Sequence, residues 1–179
     1  DYALGVIWAI GLGFSIIFWP VPEGDKKPLI MGWLAKCIVM LGFMLYYEYS
    51  YDTDSFGYFF ASSRSEFLWD GWIFGDGTRN FFQLLCLHSS IFPDSFHWMK
   101  VSCALLGFLG VYLCYRAAMR LLMKNDTRVF LVLALYPSNL FWSSIISKDP
   151  VTLFFVGLYA FGVACWYSTA RLVYLFPAL

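Results

Sequence analysis

Hydrophobic residues in this chain occur in long runs that are separated by short polar breaks. Each run approaches the roughly 20 apolar residues that a helix needs to cross the hydrocarbon core of a bilayer. Five such runs cover residues 2–19, 29–47, 98–115, 129–146 and 151–167. An apolar stretch that begins at Leu172 would be a sixth. The pattern predicts an all-α integral membrane protein, in which a bundle of five to six transmembrane helices forms the single domain 1–179.

The segment 48–97, between the second and third runs, is more polar but too rich in aromatic residues to be a solvated linker. No stretch of 18 apolar residues free of charge occurs between residues 66 and 97. Tryptophan and tyrosine concentrate at the boundary between membrane and water. We therefore predict that this loop forms short interfacial helices that lie flat on the bilayer.

The composition agrees with a membrane protein and excludes two other classes. The chain is 60% hydrophobic and 13% charged, whereas soluble domains carry about 25% charged residues. Twelve basic and twelve acidic residues cancel without forming a basic patch, so no nucleic-acid binding is expected. Four of the five cysteines lie in apolar runs, which predicts neither a disulfide framework nor a zinc site. The chain starts with Asp1 and stops in an apolar stretch, so we expect it to be part of a longer protein.

The basic residues are distributed unequally between the two sides that alternating spans would create. Loops on the cytoplasmic side of membrane proteins carry an excess of lysine and arginine. This rule places the N-terminus and the loop 48–97 on the extracytoplasmic side, together with nine of the twelve acidic residues. Lys36, near one end of its run, is expected to extend to the headgroups. The predicted cytoplasmic side holds eight of the twelve basic residues: Lys26, Lys27, Lys36, Arg116, Arg120, Lys124, Arg128 and Arg171.

Two acidic motifs on the predicted outer side are candidates for chemistry. Asp52-Thr53-Asp54 lies at the end of the second run and Lys148-Asp149-Pro150 lies between the last two. Carboxylates at this spacing can act as a base or bind Mg²⁺ or Mn²⁺, although an Asp-x-Asp motif can also simply cap a helix. We predict that Asp54 and Asp149 face one cavity, where Lys148 or a divalent cation held by Asp52, Asp54 and Asp149 offsets their repulsion.

These motifs resemble those of the GT-C superfamily of membrane glycosyltransferases, which includes protein O-mannosyltransferases and the aminoarabinose transferases that act on lipid A. In that superfamily the first large outer loop begins with an acidic motif, and Asp52-Thr53-Asp54 followed by Tyr58 occupies this place. Asp149 is similar to a second acidic position in the next outer loop. Tyr136-Pro137-Ser138 is similar to bacterial members that build surface polysaccharides.

The resemblance implies that a sugar is transferred from a polyprenyl-phosphate carrier on the extracytoplasmic face, most simply at the bacterial inner membrane. Asp54 would be the catalytic base, and Asp52 a second candidate for the base or a metal ligand. Lys148 or Arg64 would contact the phosphate of the lipid, and Tyr58 would contact the substrate. The cofactor implied is a divalent cation, Mg²⁺ or Mn²⁺.

A non-enzymatic alternative stays open from the sequence. The chain could be an accessory transmembrane subunit of a larger respiratory or photosynthetic complex, with its aromatic residues in contact with lipid, pigment or partner subunits. The acidic residues would then only mark the membrane boundary. The length of the full open reading frame separates these hypotheses, because further spans after Leu179 favour the transferase.

Overall fold

The computed structural model describes residues 1–63 and 71–174. These residues are predominantly helical, and no β-strand occurs among them. A 3₁₀ turn at Ile16–Phe18 extends the first helix, and a π-helical stretch at Val39–Phe43 joins the second helix to the third. The α-helices of the described residues are α1 (Tyr2–Ser15), α2 (Glu23–Ile38), α3 (Met44–Ser50), α4 (Asp54–Ser63), α5 (Gly77–Ile91), α6 (Phe96–Leu122), α7 (Thr127–Leu135), α8 (Pro137–Trp142) and α9 (Lys148–Thr169).

Three of the described helices are long and apolar enough to cross a membrane. They are the continuous helix Glu23–Ser50, which contains α2 and α3, and the helices α6 and α9. The apolar helix at Tyr2–Phe18 is shorter. For residues 1–63 and 71–174 the all-α class with candidate membrane-spanning helices is therefore confirmed, whereas the count of five to six spans stays a prediction. The position of α4 and α5 at the membrane interface also stays a prediction.

The predicted span 129–146 does not form one helix. Helix α7 ends at Leu135, α8 covers only Pro137–Trp142, and residues 143–147 form turns. The break follows from Pro137, which lacks an N–H group and restricts the residue before it to extended conformations. Tyr136 accordingly has φ −59° and ψ 122°. Neither α7 nor α8 is long enough to cross a bilayer.

Helix α6 lies at the centre of the fold and packs most closely against α9. A Cβ atom added to Gly110 of α6 would lie 2.5 Å from the carbonyl oxygen of Leu153 in α9. A Cβ atom on Gly107 would lie 2.6 Å from Cβ of Ser143. Glycine at both positions lets the two backbones approach, as small residues do in membrane helix pairs. Gly107 and Gly110 thus lie on the face of α6 that contacts α9 and the turn before it.

The helix Glu23–Ser50 runs antiparallel to α6, and an ion pair with a buried carboxylate joins the two helices near each end. Near the start of α2, the Asp25 carboxylate accepts hydrogen bonds from Arg116 at 2.7 Å and from the Tyr112 hydroxyl at 2.9 Å. Near the end of α3, Lys100 Nζ donates to Glu48 Oε2 at 2.7 Å. These contacts fix the register of the helix along α6. They also place the residues after α3 beside the start of α6.

Lys36 does not reach the headgroups, so its expected position near one end of a span is wrong. Its side chain is only 3% exposed, and Nζ donates to Ser143 Oγ at 2.5 Å and to Ser144 Oγ at 3.4 Å. The reason is the length of the helix, which begins at Glu23 and continues to Ser50. At 1.5 Å per residue, Lys36 lies about 20 Å from either end.

Candidate functional site

A cavity of about 450 Å³ lies where the connection between α3 and α4 meets the connection between α8 and α9. Helix α3 ends at Ser50, Tyr51 is extended with φ −132° and ψ 138°, and α4 begins at Asp54. On the other side α9 begins at Lys148, after the turns that follow α8. The cavity is lined by Tyr47, Asp52, Thr53, Asp54, Ser55, Tyr58, Trp142, Ile145, Ile146, Ser147, Lys148 and Asp149.

The two loops thus bring together most of the residues that the sequence singles out. Although 94 residues lie between Asp54 and Asp149, both line this one cavity, as predicted. Arg64 lies outside the described residues. The roles assigned to these side chains stay predictions. The predicted site residues in the lining are Asp52, Asp54, Tyr58, Lys148 and Asp149.

Asp54 and Asp149 each lie in the first turn of a helix, α4 and α9 respectively. The free N–H groups at a helix N-terminus favour a negative charge there. Ser147 caps α9, because its Oγ accepts a hydrogen bond from the backbone N–H of Asp149 at 3.2 Å. Both carboxylates are exposed at the surface of the protein. The fold therefore places two accessible carboxylates, each at a helix N-terminus, in the lining of one cavity.

Lys148 supplies the cation in the lining. Its Nζ donates to Thr78 Oγ1, at the start of α5, at 2.8 Å. Lys148 also lines a neighbouring cavity of about 370 Å³ beside α5, together with Trp72 and Asn80. The ammonium group therefore lies between two cavities, and its hydrogen-bond partner is a neutral hydroxyl. An anionic ligand could replace that hydroxyl without breaking an ion pair.

A second neighbouring cavity of about 460 Å³ lies between α8 and α9. It shares Trp142 and Asp149 with the first cavity, and it is also lined by Asn139 and Ser143. Ser143 is the hydroxyl that accepts the hydrogen bond from the buried Lys36. Asp149 thus lines two cavities, one between the two loops and one between α8 and α9.

Two hydroxyl groups in the lining have no hydrogen-bond partner among the described residues. They are Thr53 Oγ1 and Ser55 Oγ, and both oxygen atoms are buried. Ser55 as a whole is 1% exposed. By contrast, the buried Ser62 near the other end of α4 donates to the Phe59 carbonyl at 2.9 Å. The sequence does not reveal this feature, because a serine or threonine at a helix start ordinarily caps the helix.

Helix α5, which carries Thr78, is attached to α6 through a half-buried histidine. His88 Nε2 lies 2.9 Å from Ser102 Oγ, and the same hydroxyl accepts a hydrogen bond from Trp8 of α1 at 2.9 Å. Burial lowers the pKa of His88 to about 4, so its ring is neutral at pH 7. These contacts give His88 a structural role, which is to hold α5 against α6 and α1.

The carboxylates do not form an evident metal centre. Within residues 1–63 and 71–174, no group of three His, Cys, Asp or Glu side chains is arranged to hold a metal ion. Asp52, Asp54 and Asp149 share a cavity without making such a group. Binding of Mg²⁺ or Mn²⁺ in the cavity stays a prediction.

Comparison with known proteins gives no relative: no family model, no curated protein and no solved structure matches this chain. Function must therefore be inferred from the cavity and from the residue pattern. The cavity combines accessible carboxylates, one ammonium group and aromatic rings at one end of an apolar bundle. This combination can remove a proton from one group while it stabilises negative charge on another.

Proposed function

We propose that this chain is part of a membrane glycosyltransferase of the GT-C type, which moves a sugar from a polyprenyl-phosphate carrier to an acceptor. One observation carries the proposal. Asp54 and Asp149, from separate loops, line a single cavity together with Lys148. A carboxylate base and a cation for the leaving phosphate are the two groups that this reaction requires, and the cavity contains both.

The reaction we propose needs one proton transfer and one displacement at the sugar. Asp54 accepts the proton of an acceptor hydroxyl or amide, and Asp52 is the second candidate for this role. The acceptor atom forms a bond to the anomeric carbon as the bond between that carbon and the phosphate oxygen breaks. The electron pair leaves with the polyprenyl phosphate. Its negative charge is stabilised by Lys148, which exchanges the Thr78 hydroxyl for a phosphate oxygen.

The aromatic part of the lining suits the sugar. Tyr58 and Trp142 flank the polar groups of the cavity, and the ring of Tyr58 is held edge-on against Phe81 with centroids 5.1 Å apart. A rigidly held aromatic ring offers an apolar face to the C–H groups of a sugar, while the carboxylates accept hydrogen bonds from its hydroxyls. Arg64 is proposed as a second contact to the phosphate.

We further propose that the cavity opens on the extracytoplasmic side of a bacterial inner membrane. The support is the excess of basic residues on the opposite side. The isoprenoid tail of the carrier would remain in the bilayer, where α9 presents the exposed side chains of Phe155, Val156 and Tyr159. The partners proposed are thus the lipid bilayer, the lipid-linked sugar and, in the full protein, further membrane-embedded segments or subunits.

Replacement of Asp54 tests the proposal. In the full-length protein in membranes, Asp54→Asn should lower sugar transfer at least about 100-fold, since general base catalysis contributes about 10²–10⁴. Transfer is measured with radiolabelled polyprenyl-phosphate sugars, and the thermal midpoint verifies folding. Asp94→Asn is the matched control, because Asp94 is an exposed acid that does not line the cavity.

Two results would contradict the proposal. Asp54→Asn could retain full transfer, or the wild-type protein could transfer sugar from none of the donors. The second result would favour the accessory-subunit hypothesis, under which both variants assemble normally with their partners and the carboxylates are dispensable.

A further inference from the structure

The unpartnered hydroxyls of Thr53 and Ser55 lie beside the proposed base. Thr53 immediately precedes α4, at the position where a side chain would cap the first turn. Its Oγ1 has no partner among the described residues, so it provides no cap. Ser55, the second residue of α4, is 1% exposed and its Oγ is also unpartnered. Burial of a hydroxyl without a hydrogen bond costs free energy. A ligand that forms hydrogen bonds with both of these hydroxyls would recover that free energy on binding.

The neighbouring groups restrict what that ligand can be. The first backbone N–H groups of α4 have no acceptor within the helix, and they add donors to the two hydroxyls. The carboxylates of Asp52 and Asp54 line the same wall and accept hydrogen bonds only. An isolated anion would be repelled by these two charges. A ligand with several hydroxyl groups is suited to this wall, because each hydroxyl both donates and accepts.

We infer that Thr53 and Ser55 bind the sugar directly and distinguish a sugar-bearing carrier from the bare carrier phosphate. A rotation about the Cα–Cβ bond turns each hydroxyl toward the cavity, where it donates to or accepts from a hydroxyl of the sugar. The inference rests on the proposed function, since it names the residues that hold the substrate of that same site. It assigns them to substrate recognition and leaves the proton transfer to Asp54.

The experiment compares the binding of undecaprenyl-phosphate mannose, undecaprenyl-phosphate glucose and undecaprenyl phosphate to the full-length protein in detergent. Thr53→Val and Ser55→Ala should each weaken the binding of at least one sugar-bearing carrier by about 2- to 12-fold, the equivalent of one neutral hydrogen bond. Binding of undecaprenyl phosphate should not change. Ser62→Ala is the matched control, because it removes a buried serine hydroxyl from the same helix that has its own partner.

A second readout separates recognition from a structural role. Removal of an unpartnered buried hydroxyl takes away no hydrogen bond in the ligand-free protein, so Thr53→Val and Ser55→Ala should keep or raise its thermal midpoint. Ser62→Ala should lower the midpoint and leave carrier binding unchanged. A structural role for Ser55 predicts the reverse, with a lowered midpoint and unchanged binding.

The outcomes distinguish this inference from the proposed function. If the variants bind the sugar-bearing carriers as the wild type does, the inference is overturned, whether or not Asp54→Asn is inactive. It is also overturned if the wild type binds all three lipids equally. If the wild type discriminates among them and the variants lose that discrimination, the inference is supported, even when no transfer is detected and the proposed function fails.

Discussion

The ion pair between Glu48 and Lys100 gives the sharpest test of how the fold holds the cavity in place. The side chains are 3% and 0% exposed and their charged atoms lie 2.7 Å apart. The second carboxylate oxygen, Glu48 Oε1, is buried without a partner among the described residues. Lys100→Met would therefore leave a buried carboxylate without a cation, which costs about 3–5 kcal/mol. The double variant Glu48→Leu/Lys100→Met removes both charges, and should be as stable as the wild type or more stable.

The free energy of unfolding of the full-length protein can be measured by titration with sodium dodecyl sulfate in mixed micelles, with helix content followed by circular dichroism. The expected order is that Lys100→Met is much less stable than both the wild type and the double variant. The control Lys124→Met changes an exposed lysine and should stay within about 0.5 kcal/mol of the wild type. If Lys100→Met unfolds like the wild type, the carboxylate reaches water and the reasoning is wrong.

Two further predictions concern packing and orientation. Gly110→Val should prevent close packing of α6 on α9 and lower the thermal midpoint strongly, because its Cβ would lie 2.5 Å from the Leu153 carbonyl oxygen. Gly11→Val is the control, because nothing lies within 4 Å of the Cβ added there. Equal midpoints for the two variants would contradict this account. In intact cells, a membrane-impermeant thiol reagent should label Ser90→Cys and spare Asn125→Cys. Both positions are exposed, and the proposed orientation places them on opposite sides of the membrane. The reverse labelling would refute that orientation.

The features that could be predicted from the sequence are those that depend on local composition. Runs of apolar residues indicate helices of membrane-spanning length whatever their neighbours are, and small residues four positions or fewer apart indicate close helix packing. The shared cavity of Asp54 and Asp149 was also predictable, because both motifs lie at ends of spans on the same predicted side of the membrane. Two assignments fail: Lys36 does not lie near the end of its helix, and the residues 129–146 do not form one helix.

The break in 129–146 follows from the local effect of Pro137, whereas the error at Lys36 has another cause, which is that burial of a polar group depends on partners distant in the sequence. Lys36 is buried because Ser143 accepts its hydrogen bond, and 106 residues lie between them in the chain. That serine follows α8, after the break in the helix at Pro137. A hydropathy pattern carries no information about such a pairing, so a lysine near the end of an apolar run is assigned to the membrane surface.

The two ion pairs along the helix Glu23–Ser50 connect this packing to the proposed chemistry. A slip of that helix by one turn along α6 would be a shift of about 5.4 Å, which would separate Asp25 from Arg116 and Glu48 from Lys100 together. Because the residues after Ser50 form one wall of the cavity, the same slip would carry Asp54 out of its place opposite Asp149. Buried ion pairs add little to stability compared with apolar side chains of similar size. The presence of these two ion pairs is explained if they fix the register of the helix Glu23–Ser50 along α6, since that register brings the two carboxylates into one cavity.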